Sequence, residues 1–159
     1  MATEIQRYTA LAEALAREGL RLTPQREAVL HVLAATEEHP SVDQLYAQAR
    51  RRCRSTSRAT VYNTLSMLKQ LGEVMELEFV EGGNRYDART PEPHPHLVCT
   101  RCGRIDDFDP ADLRVALATA AAASGYHVTG QRLDFYGECP ACHRQRYEAP
   151  ATQGETRPA

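Results

Sequence analysis

The sequence predicts an α+β protein in two parts: an N-terminal winged helix-turn-helix and, beyond a short linker, a small α/β domain. Three observations carry this. Four helix signals, each with its own cap, fill the first 72 residues. Strict alternation replaces the helical period over residues 73–88. A proline-rich stretch then leads into short strands that carry the first of two Cys-x-x-Cys pairs. The expected boundaries are 1–88 for the winged helix, 89–95 for the linker, 96–148 for the second domain and 149–159 for a polar, disordered tail.

Residues 4–18 read as a helix with Ile5, Tyr8, Leu11, Ala12 and Leu15 at helical spacing, ended by Gly19. Thr23-Pro24 starts a second helix, because a hydroxyl cap is followed by a proline whose missing N–H costs nothing at the first position. Val29, Leu30, Val32 and Leu33 form its apolar face, and His39-Pro40 breaks the pattern. Ser41 caps a third helix with Val42, Leu45, Tyr46 and Ala49 inward, which ends in the stretch Arg50 to Arg54. Ser57 caps a fourth, which runs to Leu71 and stops at Gly72. In EVMELEFV, Met75, Leu77 and Phe79 share one face and Glu76 and Glu78 the other; EGGN turns, and RYDA returns as a second strand. Past the linker, HLVCT and RIDDF read as strands, an Ala-rich helix runs from about Asp112 to Ser124, and a last strand passes through HVTGQRLDFYGEC.

The composition excludes several classes. At 159 residues, 42% hydrophobic and 25% charged, the chain suits one medium or two small soluble domains. No apolar run approaches the roughly 20 residues of a membrane span. The N-terminus has early glutamates and no basic-then-apolar layout, so no secretory signal is expected and the location expected is cytoplasmic. A net charge of −2 argues against a polycationic coat for nucleic acid. The distribution is more telling: nine basic against five acidic residues from Arg17 to Lys69, then four Glu and one Asp against one Arg from Gly72 to Asp87. A basic helical block before an acidic hairpin suggests one face with an anionic partner.

Cys99-x-x-Cys102 and Cys139-x-x-Cys142 form the first chemical constellation. Two cysteines at this spacing present both sulfurs to one ion, and two such knuckles complete a tetrahedral four-thiolate site, read here as structural Zn(2+). The strand–helix context of a thioredoxin-like redox motif is missing. Cys53 has no thiol neighbour and reads as an incidental thiol at a helix end. The second constellation is His94-x-His96, whose alternate positions on an extended chain face the same way. Asp87 lies upstream, Asp106-Asp107 downstream, and His39 sits in a loop of the helical part. Imidazole and carboxylate ligands suit Fe(II), Mn(II) or Zn(II). A hydrolase built on these residues lacks a separate general base and a glycine-rich phosphate loop, so the chain is not expected to be an enzyme.

The fourth helix carries Val61, Leu65 and Leu68 on one stripe, with Arg58, Tyr62, Ser66 and Lys69 on the adjoining flank and Asn63 beyond. A donor-rich face of little bulk fits a DNA major groove: Arg58 suits guanine or phosphate, Tyr62 a thymine methyl or phosphate, and Asn63 adenine. The expected contacts with double-stranded operator DNA are Arg58, Thr60, Tyr62 and Asn63.

Taken together, LTPQR (22–26), HP (39–40), RATVYNTL (58–65), PHPHLVCTRCG (93–103) and YGECPAC (136–142) resemble the ferric uptake regulator (Fur) family over almost the whole chain. The resemblance implies a homodimeric, metal-dependent repressor whose second domain dimerises. Within the family, the peroxide-sensing (PerR) branch is similar in using three His and two Asp, which fall here on His39, Asp87, His94, His96 and Asp107. Asp107 is preferred to Asp106 because it lies at the matching distance from Cys102-Gly103. Iron-sensing members commonly have Glu where this chain has Asp107. A further metal site of many members looks absent, since Pro93, Pro95 and Gln131 stand at its positions. The branch implies a regulatory Fe(2+) that reacts with hydrogen peroxide and adds oxygen to His39 or His94, opening the dimer, while Mn(2+) supports DNA binding without that reaction. The alternative is a metal-uptake regulator of the same family without peroxide chemistry.

Overall fold

The protein is described by a computed structural model over residues 3–78, 83–108, 111–129 and 131–147. Four helices come first: α1 (Glu4–Arg17), α2 (Pro24–Ala35), α3 (Val42–Arg52) and α4 (Arg58–Gln70). Their starts are chemical. Thr3 and Ser41 each accept an N–H from a glutamine three residues on, and each glutamine side chain accepts from the cap in return. Thr23 caps α2 with Pro24 at its first position, and Ser57 caps α4. Gly19 ends α1 at φ 68°, a conformation that lets the Leu20 N–H reach back to the Leu15 carbonyl at 3.0 Å.

The four helices enclose one core of Leu11, Leu15, Leu30, Leu33, Leu45 and Leu65 with their neighbours, each at most 1% exposed. Val74 and Tyr86 extend it into the hairpin of β1 (Met75–Leu77) and β2 (Arg85–Asp87), which pair antiparallel with Met75 opposite Asp87. Phe79 and the first half of the EGGN turn lie outside the described residues. The loop between α2 and α3 is stitched to β2: the Tyr86 N–H donates to the Pro40 carbonyl at 3.1 Å, and Ser41 bridges to Arg85. That seam sets His39 beside Asp87.

The remaining elements are β3 (His96–Cys99), β4 (Ile105–Asp107), α5 (Ala111–Ser124), β5 (Asp134–Gly137) and α6 (Pro140–Tyr147). β3 is central, antiparallel to β4 with His96 opposite Asp107, and parallel to β5 with His96 beside Asp134 and Cys99 beside Gly137. One expectation is corrected, and one element is added. Among the described residues, the strand expected through HVTGQRLDFYGEC is confined to Asp134–Gly137, the segment that pairs with β3. The eight-residue α6 has no apolar periodicity and was not foreseen. Residues 149–159 lie outside the described residues. α5 buries none of its residues within the chain.

Candidate metal centres

The four paired cysteines converge. Cys99 ends β3, Cys102 follows in a turn that Gly103 closes at φ 72° with its N–H on the Cys99 carbonyl, and Cys139 and Cys142 flank the start of α6. One sulfur from each lies within 4.8 Å of the others, and none is in a disulfide. The Cys139 N–H donates to the Cys99 sulfur at 3.3 Å, and such amide donors bring the Cys99 thiol down to about 6. Cys142 goes the other way: burial, then the neighbouring thiols, push it up to about 12. Four thiols this close cannot all ionise unaided, and a tetrahedral cation is what satisfies them together.

The second cluster joins the two halves of the chain. His39 and Asp87 come from the stitched loop and β2; His94 ends the proline-containing stretch; His96 and Asp107 face each other across β3 and β4. One donor atom from each lies within 4.8 Å of all the others. Asp107 Oδ1 approaches His39 Nε2 at 2.9 Å and His94 Nε2 at 3.2 Å, and Asp87 Oδ2 lies 3.8 and 3.6 Å from the same two nitrogens. The approaches are short, yet Nε2 of all three histidines and Oδ2 of Asp87 are buried without a hydrogen bond. Buried polar atoms ordinarily have partners, so four that lack them around one point fit a ligand. The donor set suits a divalent transition ion. Only the Asp107 side of the cluster is open, its side chain 42% exposed.

The electrostatics agree with this reading. The His39 and His94 rings hold the Asp107 carboxyl well below the usual carboxylate range. Burial opposes protonation of His94, but Asp107, the Glu92 carbonyl and Asp87 outweigh it and raise His94 to about 9. For His96, burial and then the other two histidines lower the pKa, so its ring is neutral. Of the two adjacent aspartates, Asp106 pairs with Arg104, at 2.8 and 2.7 Å, and Asp107 lies in the cluster. His31 stacks on Tyr8 and His143 faces Glu138; neither joins a cluster.

The expected DNA face lies on α4. Val61, Leu65 and Leu68 are buried while Arg58, Tyr62 and Asn63 are exposed, Tyr62 by 55%. Arg58 reaches Asp43 of α3 at 2.8 Å and lies over the Tyr46 ring. Thr60 is half-buried in the first turn, its hydroxyl 2.9 Å from Ser57.

A model of the ferric uptake regulator family matches residues 17–136. The chain belongs to the ferric uptake regulator family. It is 36% identical over 133 residues to the peroxide operon regulator of Bacillus subtilis, covering 84% of this chain and 91% of that one. It is 34% identical over 131 residues to the peroxide-responsive repressor PerR of Staphylococcus epidermidis, covering 82% and 87%. Among solved structures, the peroxide stress regulator of Campylobacter jejuni matches with a TM-score of 0.66 at 34% identity, covering 82% of this chain and 98% of that one. The ferric uptake regulator fold accounts for the order of elements: helices, hairpin, then the small sheet with its helices. One residue beside the clusters escaped the sequence reading. Asp134 Oδ1 lies 3.5 Å from Nδ1 of His96, and the only hint was a carboxylate between apolar neighbours in LDFY.

Proposed function

We propose that the chain is a metal-dependent, homodimeric, cytoplasmic transcriptional repressor of the peroxide-sensing type, and not an enzyme. The observation that carries this is the five-donor cluster formed from both halves of the chain, with its three imidazole nitrogens and one carboxylate oxygen buried without a hydrogen bond. In this reading residues 1–88 bind double-stranded operator DNA, 89–95 link, and 96–148 dimerise. Cys99, Cys102, Cys139 and Cys142 hold structural Zn(2+), while His39, Asp87, His94, His96 and Asp107 hold regulatory Fe(2+) or Mn(2+). Arg58, Thr60, Tyr62 and Asn63 form the DNA-facing set. Support for the dimer comes from apolar side chains left bare in the second half: Leu97, Val115 and Phe135 are 43%, 65% and 41% exposed.

The residues act as a clasp. His39 and Asp87 are anchored by the seam to the helical core, and His96 and Asp107 by the strand pairing of β3 and β4. Holding all five at one point favours one arrangement of the halves, and it does so only by the difference in affinity between arrangements. Fe(II) held by these five residues would supply the redox chemistry by which hydrogen peroxide adds one oxygen atom to a ligand imidazole and leaves as water. His39 and His94 are the targets proposed, because each reaches Asp107 on the cluster's open side. Losing either ring's lone pair undoes the clasp and leaves the cysteine cluster intact.

The test is mass spectrometry of the zinc-loaded protein after Fe(II) loading and peroxide, with Mn(II) as control, beside gel shifts of His39→Ala, His94→Ala and Asp107→Ala. One added oxygen on a peptide containing His39 or His94, with Fe(II) alone, supports the reading. Variants that lose metal-stimulated DNA binding without any oxidised histidine point to a metal-uptake regulator of the same family. Variants that still respond to metal refute the site.

A further inference from the structure

Asp134 stands outside the five-donor cluster, yet its side chain is only 7% exposed. Sheet register puts it there. β3 is central, and His96 is flanked by Asp107 on β4 and by Asp134 on β5. Asp107 and His96 both belong to the cluster, whereas Oδ1 of Asp134 lies 3.5 Å from Nδ1 of His96. That oxygen has no hydrogen-bond partner, and Nε2 on the opposite side of the ring has none either. Oδ2 is already held, taking Nε of Arg132 at 2.7 Å and the Tyr136 hydroxyl at 3.5 Å.

A neutral imidazole carries one N–H, and the nitrogen without it is the one that donates a lone pair to a cation. A carboxylate accepts and never donates, so an ionised carboxylate at Nδ1 selects the Nδ1–H tautomer. We infer that Asp134 is a positioning residue for His96: it holds the proton on Nδ1, and thereby presents Nε2 to the cluster. The 3.5 Å contact needs only a small closure to reach the roughly 2.9 Å of an N–H···O bond, and coordination at Nε2 promotes that closure by making the N–H more acidic. Arg132 orients the carboxylate through its hold on Oδ2. Its other arm donates to the main-chain carbonyl of Glu78 at 2.7 Å, so the support for His96 is fastened to the end of the hairpin's first strand. The role in metal binding rests on the metal reading above; the choice of tautomer does not.

The experiment uses full-length, zinc-loaded protein without added Mn(II). Long-range 15N–1H correlation of the histidine rings, assigned with His96→Gln, reads the tautomer directly. Wild type is expected to show His96 protonated at Nδ1, and Asp134→Ala to lose that preference, with zinc content unchanged. Mn(II) titration then gives an affinity 10- to 100-fold weaker in Asp134→Ala, the usual scale for losing such an outer partner. Asp134→Glu is expected to restore most of both signals, which a merely structural ion pair with Arg132 would not require. Should Asp134→Ala fold poorly, Asp134→Leu, similar in size and without any hydrogen-bond acceptor, carries the same readouts. A wild-type His96 protonated at Nε2 overturns the inference, and so does a variant that keeps both the tautomer and the wild-type Mn(II) affinity. A wild type that binds no Mn(II) at all sinks the metal reading alone, because the tautomer is read without it.

Discussion

Filling the His/Asp cluster must expel a proton, and the structure sets how strongly. His94 is raised to about 9, so at pH 7 its ring is cationic, while binding at Nε2 requires the neutral ring. The gap of two pH units corresponds to about 3 kcal/mol, or roughly 100-fold in apparent affinity. The sign follows directly. Below about 9 the proton competes, so Mn(II) affinity rises about tenfold per pH unit from 7 upward and levels off near 9. His96 adds nothing to this because its pKa is lowered, and Asp107 is already ionised. The same shift gives the opposite trend for folding before a cation binds: protonated His94 against Asp107 and Asp87 stabilises fully below about 6.5, and that contribution is lost as pH rises through about 9. Anaerobic Mn(II) titrations followed by electron paramagnetic resonance between pH 6.5 and 8.5 measure the slope. Calorimetry in two buffers of different ionisation enthalpy measures the release, expected to be about one proton per ion at pH 7. A flat affinity with no proton release refutes the argument.

Cys99→Ser or Cys142→Ser should remove one zinc per chain and melt the β3–β5 sheet first, seen by metal analysis and thermal unfolding; an undiminished melting temperature in zinc-stripped wild type would contradict it. Tyr62→Ala and Arg58→Ala should weaken operator binding by about 1–3 kcal/mol where a base is read, measured by fluorescence anisotropy. The Arg58–Asp43 pair is exposed and worth less than about 1 kcal/mol to folding, so unchanged urea midpoints separate a DNA role from damage. Leu65→Ala, at 1% exposure in the four-helix core, should cost about 2–5 kcal/mol of stability by urea unfolding.

The elements legible in the sequence were those specified by neighbouring residues. Thr23-Pro24, Ser41 with Gln44 and Ser57 announce α2, α3 and α4 because capping is a three-residue interaction. The two Cys pairs and the His94–His96 pair were legible for the same reason, since each places its own donors side by side. What could not be read depends on register between distant strands. The distance from Cys102-Gly103 singled out Asp107 in the sequence, but its place opposite His96 comes only from the pairing of β4 with β3, and finding Asp134 needs the parallel pairing of β3 with β5. α6 escaped because its eight residues carry no apolar stripe; two of the cysteines, not a hydrophobic face, hold its start.

The seam between Pro40 and β2 has a consequence for how promoters would be ordered. It keeps His39 and Asp87 together as a two-toothed chelator on one half, while strand pairing keeps His96 and Asp107 together on the other. Metal affinity under the proposed function therefore reports the angle between the halves, and operator DNA prefers one angle. Thermodynamic reciprocity then demands that whatever factor the ion adds to DNA affinity, DNA adds to ion affinity. A repressor seated on a tight operator holds its ion more firmly than one free in solution or on a weak site. As metal supply falls, weak operators empty first and strong ones last, so a single protein with one kind of regulatory site imposes a sequence of gene activation through the strength of its DNA sites alone.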